Sequence, residues 1–274
     1  MALCRYHLGC GVWTHKAWVG NLFTPDAKPA QFLNQYARVF NAVEGNSTFY
    51  GLPSESTLDS WRSSTPGHFQ FCFKFPRTIS HHKKLINTEH DIEHLVTTLE
   101  PIYDSMGPMF LQLPPTFTPD QLPNLDRFLR MLPEHLNYAV EVRHRDFVTR
   151  DKDMALSRIL ARHNTSRVIL DNRFSSNFPS SSKKISIHHT GQNPILRYVG
   201  HPELARNQNL LSRWSNVVAQ WIDEGRIPYV FFHTNDDDAA PALGRLFHRN
   251  LSERVEVGQL PEFHQDQLSL SFCV

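Results

Sequence analysis

Two glutamates and a lysine, Glu44, Glu141 and Lys74, stand where short apolar runs of this sequence end. In Phe40-Asn41-Ala42-Val43-Glu44-Gly45-Asn46-Ser47-Thr48-Phe49-Tyr50-Gly51-Leu52-Pro53 an apolar stretch runs into a carboxylate, an amide, two hydroxyls and a phenol, then stops at Gly and Pro. Packing alone does not require that mixture; a strand that ends at a polar site does. The pattern recurs at Cys72-Phe73-Lys74, Leu111-Gln112-Leu113-Pro114, Val140-Glu141-Val142-Arg143 and Leu170-Asp171. Two carboxylates brought together can serve as general acid and base, or as metal ligands. The competing expectation is a structural ion-pair lattice in which Lys74 and Arg143 neutralise Glu44 and Glu141, because buried charges must be paired. Lys74, Arg77 and His81, joined by Arg143 and Arg197, would make a cationic mouth suited to a phosphate or carboxylate, which arginine grips with two hydrogen bonds.

Side chains two apart on a strand share a face, which groups Glu44 with Asn46 and Glu141 with Arg143. Gln112, Asp171, Arg197, and His233 with Asn235 end the fourth, sixth, seventh and eighth runs. Tyr50 follows Glu44 and Asn46 on a short path. The expected catalytic residues are therefore Glu44, Glu141 and Lys74. The expected substrate-binding residues are Asn46, Tyr50, Arg77, His81, Gln112, Arg143, Asp171, Arg197, His233 and Asn235.

Other patterns are weighed against these. Trp13, Trp18, Phe49 and Tyr50 could stack on a sugar or base, although packing is the commoner fate of aromatic side chains. His90-Asp91-Ile92-Glu93-His94 spells a zinc-peptidase pattern, but its helix belongs on the outside of the fold, where a solvated face is expected. His82-Lys83-Lys84 reads as a solvated loop. Asp236-Asp237-Asp238 reads as an acidic turn before the last helix. Gly9-x-Gly11 lacks the rest of a dinucleotide fingerprint.

The elements that must position these residues alternate. Strands are expected at His7–Val12, Ala42–Glu44, Gln70–Phe75, Met109–Leu113, Tyr138–Val142, Arg167–Asp171, Ile195–Val199 and Tyr229–His233. Between most of them apolar residues recur at helical spacing, as in Leu122, Leu125, Phe128, Leu129 and Leu132, or Leu210, Leu211, Trp214, Val217, Val218, Trp221 and Ile222. Thr118-Pro119 marks a helix start and Gly225 a helix end. Eight strands, each followed by a helix, imply an α/β fold: a TIM-like (β/α)8 barrel with a closed parallel sheet. The Ser-rich segment Asn172–Asn193 has no helical pattern and is expected to replace the sixth helix with a loop. With no linker composition and no repeat, residues 1–274 read as a single domain.

The chain of 274 residues is 40% apolar, enough for a large core, and carries a formal net charge of +1, which gives no general pull toward nucleic acid or anionic membrane. Cys4, Cys10, Cys72 and Cys273 form no metal-binding spacing and read as idle thiols. No run approaches the roughly 20 apolar residues of a membrane span, and the N-terminus lacks a signal-peptide core. The expectation is a soluble cytoplasmic protein.

Several blocks together resemble a known family. They are Gly9-Cys10-Gly11-Val12-Trp13 with Trp18-Val19-Gly20; Val43 through Tyr50; Lys74-Phe75-Pro76-Arg77 with Ser80-His81; Gly107-Pro108 through Leu111-Gln112-Leu113-Pro114-Pro115; Val140-Glu141-Val142-Arg143-His144; and Phe231-Phe232-His233-Thr234-Asn235-Asp236. Their order is similar to that of the DUF72, or YecE-like, proteins over most of the chain. The resemblance implies a TIM-like barrel akin to metal-dependent barrels such as endonuclease IV. One block departs from the family: many members carry Tyr-Val-Arg-Leu-His-Gly near the seventh strand, where this chain has Leu196-Arg197-Tyr198-Val199-Gly200-His201.

The function expected first is an enzyme, a hydrolase or lyase, that binds an anionic, phosphate-bearing ligand at the barrel mouth and uses carboxylate acid/base chemistry without a cofactor. The alternatives are a hydrolase of nucleic acid using a divalent metal held by Glu44, Glu141, Asp171 and His233, and a nucleic-acid-binding module without catalysis.

Overall fold

The computed structural model describes residues 5–174 and 188–264. Eight short strands alternate with helices: β1 (His7–Cys10), β2 (Ala42–Gly45), β3 (Gln70–Phe73), β4 (Met109–Gln112), β5 (Tyr138–Glu141), β6 (Ser166–Asp171), β7 (Ile195–Val199) and β8 (Tyr229–His233). The α-helices are α1 (Phe32–Tyr36), α2 (Ser47–Tyr50), α3 (Glu55–Ser64), α4 (Glu89–Leu99), α5 (Leu122–Arg130), α6 (Arg150–Arg162), α7 (Gln208–Asp223) and α8 (Ala240–Ser252). Each expected strand is present, although β1, β3, β4 and β5 end one or two residues earlier than expected. No helix separates β6 from β7 among the described residues, and residues 175–187 of the expected loop lie outside them.

All strand pairings are parallel. Six strands form one curled sheet in the order β1-β8-β7-β6-β5-β4, and β2 pairs with β3 in a separate ladder. The sheet is thus two ladders rather than the single continuous one expected. Between β3 and β4 the contact is reduced to bridges at Phe71–Met106 and Lys74–Phe110, with backbone bonds from Gly107 to Phe71 and from Phe75 to Phe110, both 3.0 Å. Between β1 and β2 a side chain does the joining. The Tyr36 hydroxyl accepts the Cys10 N–H at 2.7 Å and donates to the Ala42 carbonyl at 2.9 Å. Gly9 is required there, because a Cβ would lie 1.9 Å from the Ala42 oxygen.

Strand alternation divides the core into two layers. One face of the strands packs on the helices through residues such as Leu8, Val43, Phe71, Leu111, Val140 and Leu196, against helical partners that include Leu58, Leu95, Phe128, Leu160, Val218 and Phe247. The other face gathers Ala42, Cys72, Phe110, Ala139, Val168, Ile195, Tyr229 and Phe231. Each fully buried Phe or Leu contributes about 1.5–3 kcal/mol, so the Phe-rich strands favour burial on both faces. Helix signals match the sequence: Thr118 and Gln121 form a capping box ahead of α5, and Gly225 follows α7 with φ of 79°.

Candidate functional site

The inner apolar layer ends two residues before a polar one. Ala42 is followed on its face by Glu44, Cys72 by Lys74, Phe110 by Gln112, Ala139 by Glu141, Ile195 by Arg197 and Phe231 by His233. All six polar side chains reach the same end of the strands and bond to one another.

Arg197 is the hub. Its Nε and Nη2 donate to Glu44 Oε2 and Oε1 at 2.6 and 2.8 Å, and its Nη1 donates to Glu141 Oε2 at 2.6 Å. Glu141 Oε1 also accepts from Arg143 Nε at 2.6 Å and from Gln112 Nε2 at 2.9 Å. The Gln112 oxygen accepts from Lys74 Nζ at 2.7 Å. On the other flank Glu44 Oε1 accepts from Asn46 Nδ2 at 3.1 Å, and His233 Nε2 lies 3.1 Å from Glu44 Oε2. Two aromatic rings complete the layer: Lys74 Nζ is 4.0 Å from the Phe49 centroid, and the Arg197 guanidinium is 5.4 Å from that of Phe110. Gly11 makes room for His233, since a Cβ there would sit 2.1 Å from the imidazole.

The electrostatics follow from burial and pairing. Burial pushes the Glu44 carboxyl up, but Arg197 and then His233 hold it well below the usual carboxylate range. Burial likewise raises Glu141, yet Arg197 and Arg143 bring it down to about 2. Neither carboxyl carries a proton near neutral pH, so neither is poised as the general acid that two strand-end carboxylates suggest. Lys74 behaves differently. Burial lowers it, with Arg197 and Arg143 adding to the effect against Glu44 and Glu141, and its pKa falls to about 8. His81 is also lowered, by burial first and then by Lys74, Arg77 and Arg143. A histidine pushed down by three cations marks a positive field at this rim.

The remaining candidates lie outside the hydrogen-bonded network. Arg77 is exposed at the start of the turn Thr78–His82, whose His81 Nδ1 lies 2.8 Å from the Ser80 hydroxyl. Tyr50 is 82% exposed with its ring edge-on to Phe49, because the single turn of α2 swings it outward. Asn235 is exposed. Asp171 does not join the network. In register it pairs with Tyr198, which pairs with Phe232, and all three face the helices. Its carboxylate accepts Trp214 Nε1 of α7 at 2.7 Å and pairs with Arg173. The set Glu44, Glu141, Asp171 and His233 therefore does not converge on a metal position: Arg197 fills the space between the glutamates. Among the described residues no group of three His, Cys, Asp or Glu is arranged to hold an ion. His90, Glu93 and His94 lie on the exposed face of α4.

Sequence reasoning passed over Phe110 and Gly11. Phe110 was detectable, since it stands two residues before Gln112 and shares its face. Gly11 carried no signal for its use, which depends on a histidine from the last strand. Of the loop aromatics, Trp13 packs on Trp61 and Phe71. Trp18 is buried, with its indole N–H on the Asp237 carbonyl at 3.0 Å. Trp18 is therefore not free to stack on a base, and Trp13 is held by its edge contacts while partly exposed.

A family model described as "Protein of unknown function DUF72" matches residues 7–267. The chain is 36% identical over 273 residues to "UPF0759 protein YecE" of Escherichia coli (strain K12), covering 94% of this chain and 97% of that protein. Among solved structures it is similar to a DUF72 family protein from Enterococcus faecalis v583, with TM-score 0.76 at 18% identity over 93% of this chain and 98% of that one. A DUF72 family protein from Thermotoga maritima gives TM-score 0.69 at 22% identity over 90% and 99%. Among the described residues no helix is long and apolar enough to cross a membrane.

Proposed function

The chain belongs to the DUF72 family, and from that premise we propose that its eight strands close into one barrel domain whose mouth binds a small anionic ligand, phosphate- or carboxylate-bearing. Closure is supported by the β3–β4 bridges and by the Tyr36 hydroxyl that spans β1 and β2. The observation that carries the ligand class is the imbalance of charge in the network. Three cations, Lys74, Arg143 and Arg197, meet two carboxylates, and among the described residues the Lys74 ammonium has only the neutral Gln112 amide as its hydrogen-bond acceptor. Arg143 gives Nε to Glu141 while its side chain stays 33% exposed, which leaves its terminal N–H groups for a second anion. Arg77 extends the same positive field outward, to where His81 is pushed down by it.

In this role Glu44 and Glu141 are the fixed anions that keep Arg197 and Arg143 in place, and Lys74 and Arg143 meet the ligand. As an enzyme, the protein would draw its proton transfers from Lys74 and His81, whose pKa values fall toward neutrality or below it, rather than from the carboxylates. The test is thermal unfolding with inorganic phosphate. The parent protein is expected to gain stability in a saturable way, and Arg143→Ala and Lys74→Met to lose most of that gain. A parent protein indifferent to phosphate, or variants that respond as it does, contradicts the proposal.

A further inference from the structure

Lys74 differs from its cationic neighbours in what it touches. Arg143 and Arg197 each donate to a carboxylate. The Lys74 ammonium donates to the Gln112 oxygen, and among the described residues no carboxylate lies within ion-pairing distance of it. Its other neighbours are aromatic: the Phe49 centroid at 4.0 Å and the Phe110 centroid at 5.8 Å. The residue is only 7% exposed. A lysine removed from water, set beside cations and bonded directly to no carboxylate is activated as a nucleophile. With its pKa brought down to about 8, roughly a tenth of the molecules carry the free amine at pH 7. His81 touches the same Phe49 ring, with centroids 5.2 Å apart and the planes at 81°. Its Nδ1 is engaged by Ser80, which leaves Nε2 to exchange protons in a ring held neutral by burial and by the surrounding cations.

We infer that Lys74 is a nucleophilic amine that forms an imine with a small carbonyl compound bearing a carboxylate or phosphate, with Arg143 holding the anionic end and His81 moving the protons. For that anionic end the inference rests on the anion-binding proposal above. The step balances. The Lys74 ammonium gives one proton to His81, and the free amine adds to the carbonyl carbon, forming the C–N bond while the carbonyl oxygen takes the proton back. The hydroxyl then leaves as water with a proton from the nitrogen, so that ammonium and carbonyl become protonated imine and water with no change of net charge or oxidation state. The cationic imine keeps its contact with the Phe49 face, which stabilises positive charge.

The experiment uses the intact protein, glyoxylate as the carbonyl probe and cyanoborohydride to reduce any imine to a stable secondary amine. Peptide mapping by mass then locates the carboxymethyl group. The expected result is labelling of Lys74 at least about tenfold faster than exposed Lys16 and Lys28, the margin of one unit of pKa, with inorganic phosphate slowing it and His81→Gln slowing it without shifting thermal unfolding. Labelling of Lys74 no faster than Lys16 and Lys28 overturns the imine. If phosphate still raises the unfolding temperature in that case, the anion site stands without the chemistry. Rapid labelling of Lys74 with no phosphate effect on unfolding leaves the imine standing and removes the anion site.

Discussion

Arg197 and Glu44 are 153 positions apart in the sequence and meet through two hydrogen bonds, Nε to Oε2 at 2.6 Å and Nη2 to Oε1 at 2.8 Å. The guanidinium then gives its other Nη to Glu141, 56 positions away. One side chain from β7 therefore ties β2 to β5 across the inner face of the strands. Removing it strands two buried carboxylates. Arg197→Met is expected to cost about 3–5 kcal/mol, read by chemical denaturation. A loss within about 0.5 kcal/mol, as for an ordinary surface change, would mean that the network does not hold the strands together.

The same pairing sets the acid limb of stability. The Glu141 pKa is about 2 in the folded chain against an ordinary value of 4.5, and Glu44 is also held low. Below the ordinary value the unfolded chain binds more protons than the folded one, so stability is fully present above about pH 4.5 and falls as pH drops toward 2. Glu141→Gln is expected to flatten part of that fall while lowering stability at pH 7. Denaturation midpoints measured between pH 2 and 7 in both proteins check it, and an unchanged acid slope in the variant would contradict it.

On the basic side Lys74 contributes a slope of the same sign. Its folded pKa of about 8 lies below its ordinary 10.5, so between these values the unfolded chain holds more protons and stability rises with pH. Lys74→Met is expected to remove that rise. Parallel denaturation series from pH 7.5 to 10.5 would show it as a flatter profile in the variant.

How much of this was legible beforehand depends on which physical rule a residue obeys. Glu44, Lys74, Gln112 and Glu141 were readable because strand ends converge in a parallel α/β fold and because apolar runs mark the strands. The pairing of Glu44 with Asn46 and of Glu141 with Arg143 followed from the two-residue period, and both contacts are present. Asp171 was misassigned because position at a strand end was used without parity. Its neighbour Leu170, not Asp171, shares a face with Val168, and Trp214 and Arg173 take the carboxylate on the helix side. Arg143 does neutralise Glu141 as expected, but the choice of Arg197 as the partner of both glutamates, in place of Lys74, was not readable. It depends on which inward side chain is long enough to reach across the strands, a distance that no local pattern encodes. Tyr50 was read from its nearness in sequence alone, which does not encode that one turn of helix leaves it exposed beside Phe49 and outside the hydrogen-bonded network.

That outer-face assignment is itself testable. Trp214→Phe removes the indole N–H from Asp171 and is expected to cost about 1 kcal/mol while leaving phosphate-induced stabilisation intact. Loss of the phosphate response in this variant would return Asp171 to the site.

Gly11 supplies another check. A methyl group at this position would overlap the His233 ring, so Gly11→Ala is expected to cost about 1–3 kcal/mol by overpacking and to break the His233–Glu44 contact. Thermal unfolding together with the imidazole proton resonances would reveal both effects, and an unperturbed His233 signal would rule out the close fit.

The central claim is that an anion binds where Lys74, Arg143 and Arg197 together carry more positive charge than Glu44 and Glu141 cancel. Calorimetric titration of inorganic phosphate into the parent protein and into Lys74→Met addresses it most directly. A saturable one-site isotherm in the parent, weakened by salt and absent in the variant, is the result the account predicts; equal binding in both proteins, or none in the parent, would contradict it.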